Sequence, residues 1–279
     1  QRKMLALLHF GRSGSGYLHS LLDAHPNVST LPGIYMSGFF GRKVWAGISS
    51  NGFQGCPEQF ASLYKVLFDA HNPDKIPPAF ISDSYAKKSV GVKEGFVNMG
   101  PNRDTPLILD RGQFLENLRE VMDSLEAINH GQFFEAIHHA YEKTLGNNFG
   151  DKRLIFYHIH KIDPYCMANF LRCFPNTQLL MIIRNPLQSC ESWVLKSIND
   201  KQDNAYKAYH FIAHRISTML MDLNSPAFQS QDSAAVRLED IKTHPEETMR
   251  RLCVYLGIEG TDSLYASTMQ GLKWWGDPS

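Results

Sequence analysis

The stretch that decides this fold spans residues 5–18 and reads LALLHFGRSGSGYL. An apolar run ends in a Gly/Ser turn that carries one cation, and apolar residues then resume at helical spacing. Glycines permit tight or left-handed turns close to a ligand, and the start of a helix directs unpaired N–H groups and a positive dipole toward an anion. The pattern predicts a strand over about 4–10, a phosphate-binding loop, and a helix over about 16–24.

The residues after this loop limit its chemistry. In nucleoside-triphosphate enzymes the last glycine of the phosphate loop is followed by Lys and then Ser or Thr, which bind the phosphates and Mg²⁺. Here Gly16 is followed by Tyr17 and Leu18. We therefore expect a loop that holds a phosphate-like group without the usual lysine or the metal-binding hydroxyl.

The rest of the chain alternates predicted strands and helices, which favours an α/β fold with a parallel sheet flanked by helices on both faces. Residues 178–183 form an apolar run typical of a strand buried on both faces, and Arg184 and Asn185 follow it directly. In open parallel sheets, ligands bind at the carboxyl ends of the strands. The Gly/Ser loop and Arg184 are therefore expected at the same edge.

The middle of the chain, residues 33–150, does not show the alternation of predicted strands and helices. Glycines and aromatic residues crowd its start, and helical patterns follow around 57–70 and 112–145. Residues 147–150 read NNFG, which is typical of a turn that leads back into the sheet. We interpret this segment as a helix-rich insertion.

Three separated blocks of the sequence carry a resemblance to a known family. They are residues 10–16 with 21–28, residues 174–186 with Ser192, and residues 236–241 with Pro245 and 256–258. Together they resemble the sulfotransferases that use 3′-phosphoadenosine 5′-phosphosulfate (PAPS). The first block is similar to the 5′-phosphosulfate loop of that family, the second to its 3′-phosphate-binding strand and helix, and the third to its late strand and helix. They follow the order of the family and frame nearly the whole chain. Leu238 stands where the family often has a tyrosine.

The resemblance implies one sulfotransferase domain over residues 1–279, with a P-loop-NTPase-like parallel sheet and the insertion at 33–150. It implies PAPS as the sulfuryl donor, 3′-phosphoadenosine 5′-phosphate (PAP) as the product, and no catalytic metal. The resemblance assigns donor binding to the loop, to the arginine at the end of a strand, to a serine on the following helix and to a lysine near the C-terminus. These residues are Arg12, Ser13, Gly14, Ser15, Gly16, Tyr17, Arg184, Ser192 and Lys273. Arg12 is also assigned a catalytic role, because it stands beside the phosphosulfate in this resemblance.

Residues 154–161 read LIFYHIHK, a predicted strand in which His158 and His160 share one face because side chains alternate along a strand. The position of His160 resembles that of the catalytic histidine in cytosolic sulfotransferases, although their Lys-Thr-His motif is not reproduced. Other branches of the family use a glutamate after the first helix, and residues 31–35 offer no carboxylate. We expect His160 to take the acceptor proton, with His158 as the alternative base and Lys161 as an alternative functional cation.

Aromatic side chains are concentrated just after the loop and its helix, near where an acceptor must stand for in-line attack. We assign acceptor binding to Tyr35, Phe39, Phe40 and Trp45, together with His158. A polysulfated glycan would call for a basic groove, which the insertion does not supply. The expected acceptor is therefore a small or medium-sized, partly apolar molecule with a hydroxyl or amine. The alternative is that these aromatics pack a small core of the insertion itself.

Composition narrows the classes of partner. The 28 basic and 28 acidic residues give a formal charge of zero, which does not favour nucleic acid or an anionic membrane. No apolar run approaches the roughly 20 residues of a membrane span, and no signal peptide precedes the first strand. Five cysteines without metal-ligand spacing favour reduced thiols and a cytoplasmic protein. The family that the chain resembles also includes membrane-anchored Golgi enzymes, so an anchor outside this sequence stays open.

Two other functions stay open on sequence alone. One is a P-loop kinase or nucleotide-binding module of similar topology, against which the residues after Gly16 argue. The other is a catalytically silent member that binds nucleotide or acceptor as a scaffold. Binding without turnover across a broad panel of acceptors would favour the scaffold.

Overall fold

A five-stranded parallel sheet with helices on both faces forms the centre of this computed structural model. The structure describes residues 2–9, 11–33, 35–72, 90–125, 127–160, 164–199, 209–224 and 232–277. Some side chains within these ranges, among them those of Tyr35 and His160, lie outside the description.

The strands and helices follow one another along the chain in an α/β pattern. The strands are β1 (Lys3–His9), β2 (Val28–Ser29), β3 (Leu154–His160), β4 (Gln178–Ile183), β5 (Ser233–Arg237), β6 (Thr268–Met269) and β7 (Leu272–Lys273). The helices are α1 (Ser15–Leu22), α2 (Arg42–Ile48), α3 (Gly52–Leu63), α4 (Val90–Lys93), α5 (Arg111–Asp123), α6 (His130–Thr144), α7 (Pro164–Cys173), α8 (Pro186–Asn199), α9 (Tyr209–Leu223), α10 (Leu238–Thr243) and α11 (Pro245–Leu256).

The central strand, β1, brings the two predicted anion-binding elements to one edge. The strand order is β2-β3-β1-β4-β5, and all neighbouring pairs are parallel. Leu8 of β1 pairs with Met181 of β4. Gly11 and Arg184 each lie three residues beyond that pair, so the Gly/Ser loop and the end of β4 are level with each other. The predicted fold class and the shared edge are thus confirmed.

Alternate residues of β1 face two separate hydrophobic clusters. Met4, Ala6 and Leu8 join the cluster that includes the helices of residues 33–150, whereas Leu5 and Leu7 join the cluster of α1 and α11. All of these side chains are at most 2 % exposed. Burial on both faces explains why the strand is a continuous apolar run and not an alternating one.

The aromatic residues at the start of the insertion lie in the core. Phe39 and Phe40 are fully buried, and their ring centroids lie 5.4 and 5.2 Å from that of Phe134 in α6. The same cluster contains sheet residues such as Met181. The alternative that these aromatics are packing residues is therefore confirmed for Phe39 and Phe40, but the core that they pack is shared with one face of the sheet and is not separate.

One predicted helical stretch is divided in the structure. The helical pattern over 112–145 forms two helices, because a capping box starts the second: the Asn129 side chain accepts from the Gln132 N–H at 2.9 Å, and the Gln132 side chain accepts from the Asn129 N–H at 3.0 Å. Strand β5 ends at Arg237, and the residues that follow form α10.

A C-terminal hairpin of β6 and β7 is fastened to the end of α1 by one carboxylate. Asp23 accepts hydrogen bonds from the backbone N–H groups of Gln270 and Gly271 at 3.1 and 2.9 Å. It also accepts from the hydroxyls of Thr268 and Thr30 at 3.0 and 2.9 Å. Both turn residues are left-handed, with φ of 55° and 71°, as tight hairpins require. The C-terminal segment is thereby held beside the start of the chain.

The cysteine side chains are all free thiols, as the sequence predicts. Cys56, Cys166 and Cys253 are buried, and Cys173 and Cys190 are partly exposed. Burial raises the pKa of the Cys56 and Cys253 thiols above its ordinary value, which makes them weak nucleophiles. Within the described ranges, no helix combines the length and the apolar character that crossing a membrane demands.

Candidate functional site

The Gly/Ser loop connects β1 to α1 through two left-handed residues. Arg12 has a φ of 69° and Gly14 a φ of 94°. The left-handed backbone at position 14 favours glycine, and a Cβ there would lie 2.7 Å from the end of the Leu238 side chain in α10. A Cβ on Gly16 would lie 3.0 Å from the ring of Trp274. The loop is therefore packed between the start of α10 and the C-terminal segment.

Ser13 has the features of a ligand-binding residue. It is fully buried, and its hydroxyl has no hydrogen-bond partner among the described residues. Buried hydroxyls are normally hydrogen-bonded. Helix α1 begins at Ser15, and no acidic residue occupies its first turn. An anion that contacts the Ser13 hydroxyl and the free N–H groups of this helix start would satisfy both, so these residues fit a phosphate or sulfuryl oxygen.

The structure brings the predicted donor-binding elements together at Arg12. The Arg12 Nε donates to the Ser192 Oγ at 3.0 Å, and the Arg184 Nη1 donates to the Arg12 carbonyl oxygen at 3.3 Å. The Ser189 hydroxyl donates to the same carbonyl at 3.4 Å. Side chains from the loop, from the end of β4 and from α8 thus share one small region of the sheet edge.

Two carboxylates accompany the two arginines. The Arg12 Nη1 lies 2.6 Å from the Asp277 Oδ2, and the two side chains are 20 % and 39 % exposed. The Glu239 side chain accepts from the Asn185 N–H at 2.9 Å. Burial opposes the ionisation of Glu239, but this N–H and the charges of Arg237 and Arg184 outweigh it, so the pKa of Glu239 lies below its ordinary value. The bond from Asn185 also fixes α10 against the end of β4.

His158 lies inside the protein, in a chain of three histidines. Its Nδ1 shares a hydrogen bond with the His9 Nε2 at 3.1 Å, and its Nε2 shares one with the His19 Nδ1 at 2.8 Å. All three side chains are at most 3 % exposed. Burial lowers the pKa of His19 to about 4, although Asp23 partly raises it. The assignment of His158 to acceptor binding is therefore corrected, because its ring nitrogens are engaged beneath the surface.

His160 keeps its predicted place at the carboxyl end of β3. Its backbone pairs with that of His9, the last residue of β1, directly before the loop. Its side chain lies outside the described part of the structure, as do Phe10 and Lys161 as a whole. The role of His160 as base therefore stays a prediction, supported by the position of its backbone.

The aromatic residues assigned to the acceptor fall into different environments. Phe39 and Phe40 are fully buried, and a side chain without an exposed face does not contact an acceptor, so their assignment is corrected. Trp45 is half-buried and stacks on His130, with ring centroids 4.5 Å apart. The backbone of Tyr35 starts a 3₁₀ turn, and its side chain is outside the description. Only Trp45 and Tyr35 stay as acceptor candidates.

The C-terminal residues serve two different purposes. Trp274 is buried against Gly16, and its Nε1 donates to the Glu94 carbonyl at 2.8 Å, so it is a packing residue. Lys273 is exposed, and its ammonium lies 3.8 Å from the ring centroid of Trp275. A contact between Lys273 and the donor stays a prediction.

Sequence reasoning missed four polar side chains at or near the candidate site. They are His9, His19, Glu239 and Asp277. His9 directly precedes the loop, and Glu239 belongs to the third resembling block. Their contacts depend on strand pairing and on the path of the C-terminal segment, which motif spacing does not encode.

Comparison with known proteins agrees with this architecture. The model of a family described as the sulfotransferase family matches residues 111–262, more than half of the chain. The solved sulfotransferase domain from the curacin biosynthetic pathway superposes with a TM-score of 0.50 at 16 % identity, covering 96 % of this chain and 78 % of that chain. No curated protein matches the chain.

Two further solved structures are similar at a lower level. The sulfotransferase domain from the Synechococcus PCC 7002 olefin synthase has a TM-score of 0.49 and 15 % identity, covering 96 % of this chain and 78 % of that chain. The sulfotransferase from Alicyclobacillus acidocaldarius has a TM-score of 0.47 and 11 % identity, covering 99 % and 87 %. Because the family match spans more than half of the chain and the parallel α/β fold agrees with it, the protein belongs to the sulfotransferase family, the enzymes of sulfuryl transfer.

Proposed function

We propose that this protein transfers a sulfuryl group from PAPS to a hydroxyl or amine of a small or medium-sized acceptor, without a catalytic metal. The observation that carries the proposal is the buried Ser13 hydroxyl, which has no partner among the described residues. It stands in a loop that carries Arg12, accepts a hydrogen bond from Arg184 at the Arg12 carbonyl oxygen, and leads into the start of α1. A buried hydroxyl in such a loop is suited to the oxygens of a phosphate ester.

Donor binding is divided between the two ends of the nucleotide. The 5′-phosphosulfate is assigned to Arg12 and to the N–H and hydroxyl groups of residues 13–17, and the 3′-phosphate to Arg184 and Ser192, with Lys273 as a further cation. The Ser192 oxygen accepts from the Arg12 Nε. Because a hydroxyl both accepts and donates, Ser192 retains a proton to donate to a phosphate oxygen while it holds Arg12.

Each side chain then has a defined part in the chemistry. When bound, PAPS supplies the sulfuryl group. The guanidinium of Arg12 offsets the negative charge that develops on the bridging oxygen, since a positioned cation is most effective where charge forms. His160 takes the proton from the attacking oxygen or nitrogen of the acceptor. The pairing of its backbone with His9, at the edge that carries the loop, supports this role.

The first prediction concerns the donor. We expect PAP to stabilise the protein without added metal, by about 2.7 kcal/mol at a concentration about 100 times its Kd. For a chain of this size such a gain raises the Tm by roughly 5–10 °C. ATP with Mg²⁺ is expected to have little effect, because the loop lacks the lysine and hydroxyl that follow the last glycine in ATP-binding loops. Differential scanning fluorimetry measures both.

The two competing functions give different results in that experiment and in a turnover assay. A shift with ATP and Mg²⁺ but not with PAP would point to a P-loop kinase and overturn the proposal. A shift with PAP, without release of PAP from PAPS for any member of a broad panel of phenols, alcohols and amines, would indicate a scaffold that binds but does not turn over.

The second prediction concerns the acceptor. We expect Trp45→Ala to raise the KM for a small phenol such as 2-naphthol by roughly 2- to 10-fold, the effect of losing one aromatic contact, with PAP affinity unchanged. Tyr265→Ala is the control, since Tyr265 is 51 % exposed and lies near the C-terminus. Steady-state kinetics would contradict this assignment if a polyanionic glycan were turned over efficiently while small phenols and alcohols were inert.

A further inference from the structure

Both the backbone and the side chain of Arg12 are fixed by hydrogen bonds. Its backbone is left-handed, with φ of 69°. For any residue other than glycine this conformation is unfavourable in free energy, and it persists only where the surrounding structure imposes it. Arg184 and Ser189 donate to its carbonyl oxygen. Its guanidinium donates to Ser192 and pairs with Asp277. Both ends of Arg12 are thus held, the carbonyl oxygen by Arg184 and Ser189 and the guanidinium by Ser192 and Asp277.

Asp277 reaches Arg12 from an anchored segment. Two residues before Asp277, the Trp275 Nε1 donates to the Gly100 carbonyl oxygen at 2.7 Å. Trp274 is 7 % exposed, and its Nε1 donates to the Glu94 carbonyl oxygen at 2.8 Å. These bonds hold the backbone that carries Asp277 beside the loop.

We propose that Asp277 is a positioning residue that holds the Arg12 guanidinium in the orientation that the donor requires. A guanidinium has five N–H donors in a fixed plane, so it can bind protein groups and a phosphate oxygen at the same time. The Ser192 and Asp277 contacts, made by Nε and Nη1, define that plane. This role rests on the proposed function, because it is exerted on the donor through Arg12.

The test is a double-mutant cycle read out as PAP affinity by isothermal titration calorimetry. Asp277→Asn is expected to weaken PAP binding by about 5- to 30-fold, the effect of losing 1–2 kcal/mol. In the Arg12→Ala background the same substitution is expected to have no further effect. Asp123→Asn is the matched control: it removes the same charge from an exposed residue of α5 and should leave PAP affinity unchanged.

The outcomes separate this role from its alternatives. Tighter PAP binding by Asp277→Asn would mean that the carboxylate competes with the donor, and unchanged binding would mean that it does not act on the site. An equal loss in the wild-type and Arg12→Ala backgrounds would mean that Asp277 acts independently of Arg12. Each of these overturns the inference while leaving the proposed function in place. If the wild-type protein does not bind PAP, the proposed function is wrong, and the positioning role of Asp277 is then wrong as well.

Discussion

Replacing His160 with alanine is expected to lower turnover by about 10²–10⁴ while leaving PAP affinity close to that of the wild type. A general base acts on the proton of the acceptor in the transition state, so its loss reduces kcat and hardly affects the binding of the nucleotide. The measurement is PAP release from PAPS with a panel of small phenols and alcohols, together with calorimetric titration of PAP. Full activity of the variant would remove His160 from the mechanism.

His158→Ala is the control for this experiment, and its expected result differs in kind. The substitution leaves the His9 Nε2 and the His19 Nδ1 without the partner that each has in the buried chain. Leaving a buried polar group unsatisfied costs about 1–3 kcal/mol, so the main effect should be a lower Tm. A folded His158→Ala variant that lost more activity than His160→Ala would show that His158, and not His160, supports the reaction.

Replacing Arg184 with alanine is expected to weaken PAP binding by about 10- to 150-fold, which corresponds to roughly 1.5–3 kcal/mol for charge-assisted hydrogen bonds to a phosphate. The substitution also removes the hydrogen bond from Nη1 to the Arg12 carbonyl oxygen, so the loop loses one of its supports. Isothermal titration calorimetry gives the affinity, and circular dichroism checks that the variant is folded.

Two variants complete the Arg184 experiment. Arg184→Lys retains the charge without the planar guanidinium and should recover only part of the affinity. Arg251→Ala removes an arginine whose side chain is 75 % exposed on α11 and should bind PAP like the wild type. Wild-type affinity in a folded Arg184→Ala variant would contradict the assignment of this residue to the donor.

Several features of the fold and of the site were predictable because local sequence encodes them. An apolar run predicts a strand buried on both faces, and a Gly/Ser turn before helical spacing predicts the loop. The parallel pairing of β1 and β4 then places Arg184 beside the loop, since the carboxyl ends of parallel strands lie at one edge. The parallel sheet and the position of Arg184 directly after β4 are therefore enough to predict a cation close to the phosphate loop.

The environment of the aromatic residues was not predictable from their concentration along the chain. The sequence pattern is the same whether Phe39 and Phe40 line a pocket or pack a core. The structure places both rings against α6 and the sheet, where they are fully buried. Burial depends on which surface lies opposite, and that surface is supplied by residues far away in the sequence.

The sequence by itself determined the parallel α/β fold, the loop between β1 and α1, and the position of Arg184 at its edge, because periodicity and glycine chemistry act over a few neighbouring residues. Only the tertiary structure decided that His158 is buried between His9 and His19, and that Asp277 pairs with Arg12 across most of the chain. Those contacts arise from strand order and from the anchoring of the C-terminal segment, and no local pattern specifies which distant side chain meets the loop.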